Sequence, residues 1–196
     1  GVRRLDPLAV MQVVLGVDPV EEQHPGLGGL VGVAHDRAPQ LPRLDRGVDP
    51  EPVRAPMRAA LGIADDQVLF GWVGRLDRKK RVEDFIRAAA QVVGAEPKAR
   101  FVVVGGPDAF MPEYRDELHA LARDLGLDRC LQFIGDRKDV PDLLAAMDGF
   151  CWLSRDEGMP HVIAEAGTAA LPVIATPDNG ALQQIRDGET GIFVPH

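Results

Sequence analysis

From residue 67 onward the chain alternates short apolar runs with longer segments in which apolar side chains return every three or four positions. The first pattern predicts buried strands and the second predicts helices with one apolar face. Residues 67–73, Q-V-L-F-G-W-V, read as a strand, after which Val82, Phe85, Ile86, Ala89, Ala90 and Val93 recur at helical spacing. Residues 100–104 form a second strand closed by Gly105 and Gly106. Tyr114, Leu118, Leu121, Ala122 and Leu125 make the next helical stripe, with Gly126 placed to cap it. Residues 131–134 are a third strand, and Asp139 ahead of Pro141 opens a helix that turns Leu143, Leu144 and Met147 inward. A fourth strand at 149–153, a helix at 160–170, a fifth strand at 172–175, a short helix at 181–186 and a last strand at 191–194 complete the pattern.

Strand, helix, strand repeated in this way predicts an α/β domain, a doubly wound, Rossmann-like parallel sheet with helices on both faces. In such sheets ligands bind outside the carboxyl ends of the strands. That edge then gathers Gly74-Arg75, Gly105-Gly106, Gly135-Asp136, the loop 154–157 and the loop 176–180.

Residues 1–46 have a different texture. All ten aromatic residues lie at Phe70 or later, and eight of the sixteen prolines lie at or before Pro56. A segment without aromatic area and rich in chain breakers has little to fold around. It is expected to be poorly ordered, or an adjunct packed on a main domain that begins at residue 47. Its cluster P-G-L-G-G-L-V-G follows no strand, so it lacks the context of a phosphate loop. The apolar stretch at 8–17 has basic residues ahead of it, but Asp6, Pro7 and Gln12 interrupt the pattern of a signal peptide and no small-x-small site follows.

Charge and cysteine content narrow the classes. A formal net charge of -8 disfavours a general nucleic-acid binder, because phosphate contacts need a basic surface. Cys130 and Cys151 form no C-x-x-C pair and suit reduced thiols in a cytosolic setting. No apolar run approaches the ~18 residues of a membrane span.

Two stretches carry candidate chemistry. In S-R-D-E-G-M-P-H-V-I-A-E, Pro160 marks a helix start, Glu157 lies in the loop ahead of it and Glu165 lies inside the helix. Pro160 to Glu165 spans roughly 7 to 8 Å of rise, with Glu157 farther out. Carboxylates so spaced suit two parts of one elongated ligand, with the positive helix start between them facing an anion. The same spacing also suits two solvent-exposed charges, and spacing alone does not separate these readings. In G-R-L-D-R-K-K-R, residues 74–81, five of eight side chains are cationic. Their mutual repulsion is relieved by an anion such as a diphosphate; the alternative is a solvated basic turn.

Other chemistries lack their residues. The five histidines are scattered, with no zinc spacing, and His161 in a first helical turn reads as an exposed side chain. No G-x-S-x-G elbow, Walker loop or Asp-x-Asp pair occurs. Diphosphate charge would fall to Arg75, Lys80 and helix ends, with no metal.

V-G-R-L followed by Lys80, then F-I-G, S-R-D-E-G-M-P-H-V-I-A-E-A, P-V-I-A-T and D-G-E-T-G-I-F-V closely resemble the nucleotide-binding domain of the family 4 (group 1) glycosyltransferases, one half of a GT-B fold. The resemblance begins near Gly47-Val48-Asp49 and runs to the end of the chain. It implies a catalytic set of Arg75 and Lys80 on the donor diphosphate and Glu157 on the donor sugar. It implies that Glu165 bonds the ribose hydroxyls, and that Gly158 and Met159 present backbone N–H groups. Gly74 and Pro160 would frame this donor site, and Gly135, Lys138 and Val140 would border the base.

The implied reaction transfers a hexose from a nucleotide diphosphate sugar to an acceptor glycan or lipid, with retention, without cofactor or essential metal. It also implies a cytoplasmic protein, peripheral at the inner membrane face, and a partner acceptor-binding domain amino-terminal to this one. Residues 1–46 do not resemble that domain, and the sequence stops at His196 where the family continues into helices that cross back. The expectation is a donor-binding domain incomplete for turnover by itself. Gln183 stands where Glu is usual and Arg81 where Gly commonly follows the lysine. Two other readings stay open: a GT-B nucleotide-sugar epimerase, for which only Glu157 and His161 offer an acid or base, and a non-catalytic nucleotide-binding fragment.

Overall fold

The computed structural model describes residues 51–155 and 157–195. The expectations for residues 1–46, and the boundary at residue 47, lie outside the described residues. In chain order the elements are α1 (Glu51–Ala60), β1 (Val68–Val73), a 3-10 turn (Arg78–Lys80), α2 (Val82–Ala95), β2 (Ala99–Val104), α3 (Glu113–Asp124) and β3 (Leu131–Phe133). There follow α4 (Val140–Ala146), β4 (Gly149–Trp152), α5 (His161–Thr168), β5 (Val173–Ala175), α6 (Asn179–Leu182) and β6 (Gly191–Phe193).

The six strands form one sheet in the order β3-β2-β1-β4-β5-β6, and every neighbouring pair is parallel. The doubly wound sheet expected from the sequence is therefore present. The chain steps outward from β1 to β3, returns across β1 to β4, and steps outward again on the other side. Helices α2 and α3 cover one face and α4 and α5 the other. One core packs Phe70, Trp72, Phe101 and Val103 against Val82, Phe85 and Ile86 of α2 and Tyr114 and Leu118 of α3. The other packs Leu69, Val102, Val104 and Phe150 against Leu143 and Leu144 of α4 and Ile163 and Ala166 of α5. Because both faces are covered, β1 and β4 are apolar and buried throughout instead of alternating.

Helix α1 has no counterpart in the sequence reading, whose first element lies at residue 67. It is held from outside. Arg54 and Arg58 are both buried and converge on Asp148, at 2.5 and 3.0 Å. They also donate to the carbonyls of Ala145, Ala146 and Met147. These are the carbonyls left without partners at the end of α4, so α1 caps α4 as it packs on it. Asp148 in turn accepts from the Leu69 N–H, which fastens the assembly to the start of β1.

Three local expectations shift. Leu125 is exposed, because Gly126 turns left-handed at φ +70 and the Leu127 N–H returns to the Ala122 carbonyl, burying Leu127 in its place. Pro160 is the residue before α5, extended at φ -73 and ψ 104, so the helix starts at His161. Helix α6 begins at Asn179, two residues before the expected start, because the Asp178 carboxylate caps the Asn179 N–H at 2.8 Å.

Candidate functional site

The strand order reverses between β1 and β4, and at such a switch point the loops leaving the two strands part to leave a crevice. Gly74 leaves β1 there and is tied to its neighbours: its N–H donates to the Val104 carbonyl, and the Gly105 N–H donates to the Gly135 carbonyl at 2.8 Å. Gly105 has φ +141, and a methyl group on it would stand 1.7 Å from the Gly74 carbonyl oxygen. Only glycine fits, which keeps the loops after β1 and β2 in close contact. The Gly106 N–H donates to Asp136 at 2.7 Å, pinning the third loop to the second.

The cationic stretch after β1 divides in two. Arg75 lies at the edge with a mostly exposed side chain, its Nε donating to the buried carboxylate of Asp108 at 2.9 Å, with Asp77 at 3.7 Å. Lys80 donates from Nζ to Glu157 Oε1 at 2.7 Å, with side-chain exposures of 15 and 24 %. Its ammonium also stands over the Trp152 ring, 4.6 Å from the centroid.

Two further cations of the stretch pair with acids of α2 and α3. Arg78 forks onto Glu117 at 2.8 Å and covers the Tyr114 ring, and Arg81 pairs with Asp84. Tyr114 donates to Glu83, and burial, followed by that carboxylate, pushes its hydroxyl well above the usual tyrosine range. Within the chain, Arg75, Lys80, Arg78 and Arg81 each lie beside an acid that offsets part of their mutual repulsion. Arg81 also sits at φ 52, a left-handed conformation that glycine adopts without strain.

On the other side of the crevice, the loop after β4 is stitched to both neighbours. Buried Ser154 donates to the Lys79 carbonyl, as does the Arg155 N–H, and Thr176 donates to the Ser154 carbonyl. The Glu157 N–H donates to Asp178 at 2.6 Å, and the Glu157 carbonyl accepts from Gly180 at 3.2 Å. A methyl group on Gly180 would meet the Gly158 and Glu157 carbonyls at 2.8 and 3.0 Å, so that approach also requires glycine. Glu157 is therefore fixed through its backbone as well as its side chain.

Of the residues singled out in the sequence, Gly74, Arg75, Lys80, Gly135, Glu157, Gly158, Met159 and Pro160 come together at this edge. Met159 and Gly158 are exposed and Pro160 is buried behind them, its carbonyl accepting from Gln184. Glu165 is exposed on α5, which rises from the same edge. Lys138 is exposed, whereas Val140 begins α4 with a half-buried side chain packed against the core. His161 is exposed in the first turn of α5, as expected. Sequence reading missed Asp108 and Asp178, which hold Arg75 and Glu157. Asp178 carried a signal, an Asp just ahead of a short helix. Asp108 carried none beyond following a glycine turn.

Among the described residues no group of three or more His, Cys, Asp or Glu side chains is arranged to hold a metal ion, and no helix is long and apolar enough to cross a membrane. Chemically, two cations and a fixed carboxylate beside a switch point suit a ligand with an anionic centre and hydroxyls at its ends.

Strand order and the arrangement of its edge together define a Rossmann-like α/β domain of the kind that makes up half of a GT-B fold. The chain belongs to the group 1 glycosyltransferases, whose family model matches residues 53–196. It is 32% identical over 148 residues to the D-inositol 3-phosphate glycosyltransferase of Kribbella flavida, covering 72% of this chain and 35% of that protein. The corresponding enzyme of Saccharomonospora viridis is 31% identical, over 82% of this chain and 40% of its own length. The chain thus spans little more than a third of these relatives.

Solved structures agree. Anabaena HepE in complex with UDP superposes with a TM-score of 0.70 at 29% identity, over 78% of this chain and 42% of that one. The C-terminal domain of a group 1 glycosyltransferase from Francisella tularensis gives 0.65 at 27% identity, over 76% of this chain and 80% of that domain.

Proposed function

We propose that this domain binds the nucleotide diphosphate sugar of a retaining hexosyltransferase, and that transfer to a glycan or lipid acceptor requires a second, acceptor-binding domain. One observation carries the reading: Lys80 and Glu157 meet at 2.7 Å across the switch point, from the loops after β1 and β4. Arg75 and Lys80 then neutralise the diphosphate and stabilise the charge that develops on the leaving nucleotide. Glu157 takes hydroxyls of the sugar and Glu165 those of the ribose. The N–H groups of Gly158 and Met159 face the sugar or phosphate, and the loop 135–140 borders the base. The complexes of Anabaena HepE with UDP and with UDP-glucose make a uridine diphosphate sugar the first donor to test.

Thermal unfolding with and without UDP, GDP or ADP is the test. A ligand present at 100 times its Kd stabilises a fold by about 2.7 kcal/mol, which raises Tm by several degrees. Glu165→Ala is expected to weaken that protection without lowering the Tm of the free protein, since its carboxylate is exposed. A folded sample that no nucleoside diphosphate protects would overturn the proposal.

A further inference from the structure

Trp72 and Trp152 are the two tryptophans of the chain, and they lie on the two strands that flank the switch point. Both are buried, with ring centroids 6.4 Å apart and planes inclined by 16°. The two rings also enclose Gly74, where an added methyl group would stand 3.1 Å from Trp72 and 3.7 Å from Trp152. Elsewhere in these strands the covered positions hold aliphatic residues, Gly, Phe or Cys, and no other residue carries an indole. Neither indole N–H meets an acceptor among the described residues, so neither ring is held by its nitrogen.

What the Trp152 ring supplies that an aliphatic side chain cannot is its electron-rich face. The Lys80 ammonium stands 4.6 Å from the ring centroid while donating to Glu157 at 2.7 Å. A lysine side chain has a long flexible stem and many rotamers, and one carboxylate contact leaves its direction loosely set. A ring beneath and a carboxylate beside it leave one ammonium position. The ring also attracts the cation without consuming its N–H donors, whereas a second carboxylate would take one.

We propose that Trp152 is a positioning residue, whose indole face holds the Lys80 ammonium at the switch point so that its remaining N–H groups are preset for a diphosphate. The proposal rests on the reading that Lys80 binds the donor, and two independent measurements on the full chain separate the two ideas.

The first needs no ligand. A charge held against an indole alters its emission, so Lys80→Met changes the tryptophan fluorescence of the native protein. In a Trp152→Phe background, where Trp72 alone emits, the same substitution has a much smaller effect. Equal changes in both backgrounds, or none in the native one, overturn the proposal. The second is calorimetric titration with UDP. Trp152→Leu weakens binding about threefold to tenfold, the Phe variant stays within about twofold, and adding Lys80→Met makes the Leu substitution silent. Native-like affinity in the Leu variant overturns the proposal. If the native chain binds no nucleoside diphosphate, the donor-site reading fails and the fluorescence comparison alone decides whether Trp152 holds Lys80. That comparison also stands if the Leu variant does not fold, because it uses only the Phe and Met substitutions.

Discussion

At the scale of single residues, backbone approach and burial set the largest effects. Gly105 touches the Gly74 carbonyl where any Cβ would overlap it, at 1.7 Å, in a region of φ that side chains avoid. Gly105→Ala is expected to destabilise the fold by about 2–4 kcal/mol, read as a lower urea midpoint. His119 stacks on Phe133 with ring centroids 4.1 Å apart. Burial first, then Arg115 and Arg123, holds its pKa below the usual histidine value. The unfolded chain therefore takes up a proton near pH 6.5 that the folded chain refuses until lower pH. Stability is complete above about pH 6.5 and falls as pH drops from there toward the folded pKa. His119→Phe should remove that component, seen when urea midpoints of the two proteins are compared at about pH 7.5 and about pH 5.5. His119 was visible in the sequence only as one scattered histidine. Its environment comes from Phe133 on another element.

Among elements, α1 shows where a local pattern misleads. Pro56 within E-P-V-R-A-P-M-R-A-A interrupts a helical pattern, and the ion cluster of Arg54 and Arg58 with Asp148, 94 and 90 residues away, holds the helix in place. Removing one member of such a buried cluster leaves the others without a partner, so Asp148→Ala should cost about 3–5 kcal/mol by chemical denaturation. Arg78→Ala is the contrast. Its pair with Glu117 is half exposed, at 53 and 50 %, and its loss should leave the denaturation midpoint nearly unchanged. The strands and the helices α2 to α5 were legible because each shows its own period over enough residues. The α6 boundary was not, because a side-chain cap at Asp178, rather than apolar spacing, decides it.

For the whole molecule, the formal charge of -8 means that an anionic donor is drawn only by the local field at the switch point. If Arg75 and Lys80 carry the neutralisation, EDTA should leave nucleotide-induced thermal protection unchanged, and a shift that needs added Mg²⁺ would transfer that role to a metal. The alternation of apolar runs with helical stripes, read from the sequence alone, determined a parallel sheet with two covered faces, because period and burial are local properties of the chain. The glycines, cations and glutamates at the strand ends were likewise visible as candidates. Tertiary structure decided which candidates meet. Lys80 and Glu157 are joined, Arg78 and Arg81 are turned to acids elsewhere, and Asp108, Asp178 and Trp152 hold the edge in place. Those choices depend on strand order and on side chains 21 to 77 residues apart, which no local period encodes.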